Sequence, residues 1–267
     1  MAVEQEARRT VVLAGRVGMI SYGMVHLLVG WLAAQVALGG GGEKADQRGA
    51  VETIVARPFG AVLLVLLVAG LVAFGIWQLY VAAQGYRWVS DGGKRTRKRI
   101  GAGARGTVAI AVSVYAVLLL MGAGEQQAGD QQQQELTARA LALPAGRVLV
   151  GAVAVFIIGV GISRIRKGLT KKFLDNLDLS RLPEPTRRLT MRLGQVGYPA
   201  KGVAIGIAGA LLGLAAINRD PNEAGGLDKA LRTLAAQPFG GIALLLVAAG
   251  LVAYGVYCFA AARSQRS

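Results

Sequence analysis

Few residues of this sequence have a reactive side chain and also belong to a pattern that could form a catalytic or metal-binding site. His26 is the single histidine and Cys258 the single cysteine, so the usual His/Cys metal sites cannot be assembled within one chain. The apolar segments contain neither a Ser-His-Asp set nor paired carboxylates, and the sequence has no phosphate-binding glycine motif. We therefore expect no catalysis, and neither a cofactor nor a metal site.

His26 lies within an apolar segment, where ionisable groups are costly and often functional. The apolar segments contain no Asp, Glu or second histidine that could relay a proton from it. We favour a neutral, hydrogen-bonded structural histidine; a solute- or proton-linked role and ligation of a haem are the alternatives. Gln35 and Gln78 are interpreted as hydrogen-bonding groups between helices.

Arg105 and Lys201 stand at corresponding positions of an internal repeat, near the inner ends of two apolar segments. A ring of such groups could bind an anion or a lipid headgroup. The simpler interpretation is that the long side chains extend to the headgroups. Tyr22 stands at the corresponding position of the first repeat, so a basic ring would be incomplete.

The amino-acid composition indicates that these residues are carried by membrane-spanning helices. Apolar residues make up 54% of the 267 positions, only 17% are charged, and the mean hydropathy is +0.47, whereas about a quarter of a soluble domain is charged. A membrane-spanning helix needs about 20 apolar residues. The sequence predicts six such helices in its uncharged segments, which are 17–42, 58–86, 106–124, 148–163, 202–218 and 233–262.

The protein has a net charge of +15, and its basic residues are distributed in agreement with the predicted topology. Most Lys and Arg residues fall in the two terminal segments and in the second-to-third and fourth-to-fifth connections. Because basic residues accumulate on the cytoplasmic side, we expect both termini in the cytoplasm and the protein in the inner, or plasma, membrane. The basic connections lack interleaved aromatic residues, so we expect them to meet anionic lipid headgroups and no nucleic acid.

The connections between the spans carry local patterns of their own. Residues 50–56 and 230–236 have helical spacing of apolar side chains, which predicts short helices, whereas the Gln-rich segment 125–135 is typical of a mobile loop. Residues 170–182 combine lysines with Phe173 and several leucines, which predicts a basic surface helix against lipid. Docking of a partner membrane protein on this segment is the alternative.

The chain contains an internal repeat. Residues 58–75 align with 238–255 at 11 identical positions of 18, and a weaker middle copy is visible at 143–146. The predicted repeats are 1–90, 91–173 and 174–267, each with two membrane-spanning helices. Two crossings return the chain to the same side, so the three repeats are parallel and related by an axis along the membrane normal.

Glycines recur on one face of the predicted helices. In lipid, helices associate through close packing of small residues because the hydrophobic drive between them is lost. We therefore predict packing seams on the first and fifth spans, formed by Gly23, Gly30, Gly202, Gly206, Gly209 and Gly213.

The three units, which open on (Ala/Ser)-(Arg/Lys/Tyr)-Gly and close on Pro-Phe-Gly, resemble the bacterial membrane family called domain of unknown function 1206. The resemblance covers essentially the whole chain. The middle copy departs from it, with Lys98 where an opening glycine belongs and Ala145 after its proline. The resemblance implies a six-helix membrane protein of three repeats and brings no catalytic residues.

The expected architecture is an all-α integral membrane bundle of six helices built from three parallel two-helix repeats. The function favoured by the sequence is that of a non-catalytic scaffold or accessory membrane component. The alternative is a small-solute transporter or channel with its path along the pseudo-threefold axis. A dry, packed axis would favour the scaffold, and a cavity lined by His26 or Gln35 would favour transport.

Overall fold

The structure is a computed structural model that describes residues 2–40, 45–55, 60–84, 92–120, 129–178 and 183–264. These ranges contain helices and connecting turns, with no β-strand among them. The α-helices are α1 (Ala2–Ala37), α2 (Gln47–Val55), α3 (Gly60–Gln84), α4 (Gly92–Leu120), α5 (Gly129–Leu141), α6 (Gly146–Leu169), α7 (Glu184–Asn218), α8 (Leu227–Ala235) and α9 (Gly240–Ser264).

Six of these helices, namely α1, α3, α4, α6, α7 and α9, are long and apolar enough to cross a membrane. The predicted all-α membrane bundle is therefore confirmed. Each of the short helices α2, α5 and α8 connects two long helices of one repeat, so the three share one side of the bundle, here named the short-helix side. The opposite side, where α1 begins and α9 ends, is named the terminal side.

The long helices are arranged as an incomplete ring. The second helix of each repeat packs on the first helix of the next, in the pairs α3–α4, α6–α7 and α9–α1. Within repeats, α1 packs on α3 and α7 on α9. The two helices of the middle repeat, α4 and α6, do not pack along their lengths in the described residues. The ring is therefore open at the middle repeat, which is also the copy whose sequence departs most from the others.

Each contact between repeats brings two glycine backbones together, and the pairs are Gly23 with Gly255, Gly106 with Gly75, and Gly202 with Gly161. A Cβ atom added at Gly202 would lie 2.6 Å from the carbonyl oxygen of Gly161. One added at Gly23 would lie 2.8 Å from the carbonyl oxygen of Gly255. Only glycine permits backbones to approach so closely, and the three pairs occupy equivalent positions in the repeats.

The other predicted packing glycines differ in their surroundings. A Cβ added at Gly30 would lie 2.9 Å from the backbone nitrogen of Val252, and one at Gly209 would lie 2.9 Å from that of Ile158. At Gly213 the nearest atom is 3.7 Å away, an ordinary contact. A Cβ at Gly206 would meet nothing within 4 Å, so the fifth span has room for a larger residue at that position.

The short helices form a layer in which each contacts the following repeat. Helix α2 packs on α4, α5 on the turn Pro221–Glu223 after α7, and α8 on α1. The buried carboxylate of Asp228 in α8 accepts hydrogen bonds from the amide of Ala45 (2.7 Å) and from Nε of Arg232 (2.8 Å). Helices α2 and α8 confirm the two predicted short helices, while the predicted helix start at Pro58 and Phe59 lies outside the described residues.

The prediction of a mobile Gln-rich loop was wrong for its second part, because α5 begins at Gly129. Glutamine is a good helix former, so a Gln-rich composition does not oppose a helix. The side-chain amide of Gln134 also donates to the carbonyl oxygens of Asn222 (3.3 Å) and Ala224 (3.4 Å), which ties α5 to the third repeat. Residues 121–128 lie outside the described ranges.

The prediction of a basic surface helix over 170–182 was also wrong. Helix α6 ends at Leu169, and Lys171 adopts a left-handed conformation with φ 56°, which an α-helix cannot continue through. A short 3-10 helix, Lys172–Asn176, follows. It directs Phe173, which is 1% exposed, into the bundle against Tyr198 and not toward lipid. Residues 179–182 lie outside the described ranges.

Replacing Gly202 by Ala tests the glycine pairs. The new methyl group would meet the backbone of Gly161, which cannot rotate away as a side chain can, so we expect a loss of about 1–3 kcal/mol in the free energy of unfolding. Thermal unfolding of the purified protein in detergent measures the effect.

Gly206→Ala, one turn along the same helix, is the matched control. Because open space surrounds that position, we expect its melting temperature to equal or exceed that of the wild type. Equal melting temperatures for Gly202→Ala and the wild type would contradict the proposed contact.

Candidate functional site

Lys201 of α7 forms the centre of the candidate site. Its Nζ donates to the hydroxyl oxygen of Tyr22 at 2.6 Å and contacts Nε2 of His26 at 2.8 Å. Both partners lie on α1, so the contact joins the third repeat to the first. The sequence interpretation of Lys201 as a residue at the inner surface is therefore corrected: its ammonium group points into the bundle and not toward the headgroups.

The hydrogen bonds define the form of the histidine. An ammonium group has only donors, so Nε2 of His26 accepts from Lys201. The other ring nitrogen, Nδ1, lies 2.9 Å from the carbonyl oxygen of Tyr22 and must donate its proton there. The imidazole is therefore neutral with its proton on Nδ1.

Aromatic rings surround the ammonium group. Nζ of Lys201 lies 4.9 Å from the ring centroid of Tyr22 and 4.5 Å from that of Tyr254, distances at which a cation is attracted to a ring face. In the first repeat, Tyr22 stacks on Phe74 with centroids 4.8 Å apart. Tyr22 and Phe74 align with Lys201 and Tyr254, so the repeats use the same pair of positions for a ring stack and for a cation–π contact.

The aromatic contacts continue toward the terminal side. Tyr198 packs against Tyr254 at 5.2 Å, against Phe173 at 5.2 Å and against Tyr257 at 5.5 Å between centroids. We name Tyr198, Tyr254, Tyr257 and Phe173 the aromatic layer. All four side chains are at most 7% exposed. The aromatic layer is therefore a packed cluster of α7, α9 and the 3-10 helix, on the terminal side of Lys201.

The positive charge of Lys201 has no carboxylate partner within the described ranges. The ion pairs found there are Arg139–Glu135, Arg188–Glu184 and Arg232–Asp228, each within one helix and away from Lys201. Among the described residues, Nζ contacts a hydroxyl, an imidazole and two aromatic rings. A charge in an apolar interior is costly unless it is paired, so this arrangement calls for an explanation.

A cavity of about 500 Å³ lies beside Lys201 and His26, between the three repeats. Most of its wall is apolar, with Val29, Val108, Val112, Ala204, Ile205 and Leu251 among its residues. Asp46, Gln133 and Gly226 line it at the level of the short helices. On α7 the lining residues run from Lys201 to Ala208, over which the helix rises about 11 Å. Lys201 is the lining residue of α7 nearest the terminal side, so its ammonium group lies at that end of the cavity, here named the base.

The remaining predicted residues lie outside the cavity wall. Gln78 is 3% exposed and its side-chain oxygen lies 3.5 Å from Nη2 of Arg105. Gln35 is on the exposed face of α1 near its end, away from His26. The structure thus joins His26 with Lys201 and separates Arg105 with Gln78 from them.

Sequence reasoning missed Tyr254 and the aromatic layer. A signal was present, because the aromatic position of the repeated motif 70–75 recurs in 250–255. Its meaning depends on which helices meet, and repeat spacing alone does not give that. No group of three or more His, Cys, Asp or Glu side chains suited to a metal ion is found among the residues described.

Tyr22→Phe tests the contact with Lys201. The variant removes a hydroxyl acceptor of a buried charge and keeps the ring, so we expect the free energy of unfolding to fall by about 1.5–3 kcal/mol. Thermal unfolding in detergent measures it, with Tyr80→Phe as the control because Tyr80 is 47% exposed. A Tyr22→Phe variant as stable as the control would refute the hydrogen bond.

Comparison with known proteins agrees with the three-repeat architecture. Segments 17–85, 100–171 and 196–265 match the family described as Domain of Unknown Function (DUF1206), and each segment includes most of two long helices. The uncharacterized protein YxxB of Bacillus subtilis (strain 168) is 30% identical over 255 residues, which cover 96% of this chain and 91% of that protein. No solved structure matches. The chain belongs to the DUF1206 family and carries three copies of its unit.

Proposed function

We propose that the protein binds a small solute in the cavity between its repeats and transports it along their pseudo-threefold axis. The observation that carries this proposal is the ammonium group of Lys201 at the base of a cavity of about 500 Å³, without a carboxylate partner in the described residues. Cavities of 300–1,000 Å³ with apolar walls and a few polar groups are typical of sites for small molecules.

A scaffold or accessory membrane component was the function favoured by sequence alone. That role calls for close packing of the helices, and it gives no reason for a hollow axis or an unpaired charge. The cavity wall includes His26 of the first repeat, Val112 of the second and Ala204 of the third, so the empty space lies where a scaffold would be packed. We therefore rank transport ahead of the scaffold.

The two ends of the cavity differ in a way that supports a transport cycle. Asp46 and Gln133 make the end at the short-helix side polar, whereas the packed aromatic layer lies between Lys201 and the terminal side. In this interpretation the described conformation is open toward the short-helix side. Passage to the terminal side requires Tyr254 and its neighbours to separate, for example by movement of one repeat against the others.

We propose a non-catalytic role for the polar residues of the cavity. His26 accepts a hydrogen bond at Nε2 and donates one at Nδ1, so both ring nitrogens are engaged. The described lining residues include no serine, threonine or cysteine that His26 could activate. Binding and release of a solute require no more than these groups supply.

We propose that the protein is a multi-pass protein of a bacterial plasma membrane with its terminal side in the cytoplasm. Exposed basic residues such as Arg166, Lys172 and Arg192 lie on the terminal side, where they would meet anionic headgroups. Val155 and Phe156 of α6 are 70% and 69% exposed. These apolar groups would contact acyl chains or a partner membrane protein.

Cysteine labelling tests whether the cavity contains water. Ala208 lines the cavity, whereas Ala210, two residues along α7, faces outward. In a Cys258→Ala background we expect a charged methanethiosulfonate reagent to modify Ala208→Cys and to spare Ala210→Cys, because the reaction requires a hydrated thiol. Protection of both positions in membranes, with labelling restored after unfolding, would exclude the path and favour the scaffold.

A fusion to the C-terminus tests the orientation. Green fluorescent protein placed after the last residue should be fluorescent in cells, and alkaline phosphatase at the same position should be inactive, because both termini are expected in the cytoplasm. An active phosphatase and a dark fluorescent fusion would reverse the assignment of the two sides.

A further inference from the structure

We propose that the cavity binds a single-chain amphiphilic anion, a monocarboxylate whose head contacts Lys201 and whose apolar chain lies along the cavity wall. The inference rests on the proposed function and specifies the class of solute. It combines three observations, which are the charged donor at the base of the cavity, the apolar wall and an opening at the side of the bundle.

The base of the cavity can supply a charged donor to one carboxylate. The ammonium group of Lys201 has three N–H donors, of which the structure directs one to Tyr22 and one to His26. Both ring nitrogens of His26 are already engaged, so the third N–H of Lys201 is the donor left for a ligand. A carboxylate at the base could therefore accept from the remaining N–H of Lys201, and it would neutralise the positive charge.

The wall of the cavity selects for a ligand with an apolar part. Between the base and the short helices the lining side chains are mainly valine, alanine, isoleucine and leucine, including Val29, Ile205 and Leu251. A small inorganic anion would leave this surface in contact with water. An alkyl chain would cover it and gain the free energy of apolar burial.

The side of the bundle offers an entrance at the depth of the hydrocarbon. Val108 lines the cavity and is 48% exposed. It lies on α4, beside the opening of the helix ring between α4 and α6. An amphiphile dissolved in the bilayer could therefore reach Lys201 through this opening without leaving the membrane.

The far end of the cavity disfavours a second anionic group. Asp46 lines the cavity at the short-helix side, where its Oδ1 accepts from the amide of Gly49 at the start of α2. A ligand with a carboxylate at each end would bring one of them toward Asp46. The cavity should therefore prefer a monoanion to a dianion of the same length.

Calorimetric titration of the full chain in nanodiscs of uncharged lipid, with empty nanodiscs as the blank, tests the proposal. Octanoate is the probe, and acetate, octanol, octylammonium and octanedioate are the comparisons. We expect octanoate to bind more tightly than each of the four. If acetate bound as tightly as octanoate, the cavity would be a site for small anions. If octanol bound as tightly as octanoate, the charge of Lys201 would play no part in recognition. Either result overturns the proposal.

Two pairs of variants assign the binding to this cavity. Lys201→Gln should weaken octanoate binding at least about thirtyfold, since it removes one partner of a buried charge pair. Arg105→Gln removes a charge at the corresponding repeat position and should bind nearly as the wild type, because Arg105 is directed to Gln78. Equal affinities of the two variants would overturn the role of Lys201.

Filling the cavity gives a second test that leaves Lys201 in place. Ala208→Trp should abolish octanoate binding, whereas Ala210→Trp on the outer face of α7 should preserve it. Binding retained by a folded Ala208→Trp variant would overturn the proposed location. Absence of octanoate binding together with labelling of Ala208→Cys would reject the amphiphile and keep the transport path, so the two proposals fail separately.

Discussion

The architecture depends on backbone contact between paired glycines. Three times, the second helix of one repeat meets the first helix of the next at a position where neither residue has a side chain. In lipid, such contacts supply much of what the hydrophobic effect supplies in water. Because each contact joins different repeats, the pairs arrange the helices in a ring. This open ring of six helices leaves space at its axis, so the same contacts that hold the repeats together also border the cavity.

The candidate site arises where the repeats differ within this symmetric frame. Tyr22, Arg105 and Lys201 occupy one equivalent position in the three repeats, and each has a different role. Lys201 reaches the axis, Tyr22 accepts its hydrogen bond, and Arg105 contacts Gln78 in the second helix of the preceding repeat. His26 adds a polar group where the other repeats have Ala109 and Ile205. Three similar units thereby produce one asymmetric site.

Much of the fold follows from sequence because the governing signals are local. Uncharged segments predicted the six long helices, and repeat alignment predicted Gly23 and Gly202 as packing residues. Their partners Gly255 and Gly161 stand at the position that Gly75 occupies in the first repeat. They could have been identified from sequence if the order of helices around the ring were known. The direction of Lys201 could not be predicted. Its side chain is long enough to reach either the headgroups or the axis, and the choice depends on Tyr22, which is distant along the chain.

The position of the Lys201 ammonium group tests the account most directly. Solid-state NMR of the protein in lipid bilayers, with 15N in lysine side chains and 13C in tyrosine and histidine rings, can detect a dipolar coupling between Nζ of Lys201 and the rings of Tyr22 and His26. Assignment would use the loss of the signal in Lys201→Gln. The account predicts a strong coupling to both rings. Absence of that coupling, together with contacts from Nζ to lipid phosphate, would show that the charge lies at the headgroups and would contradict it.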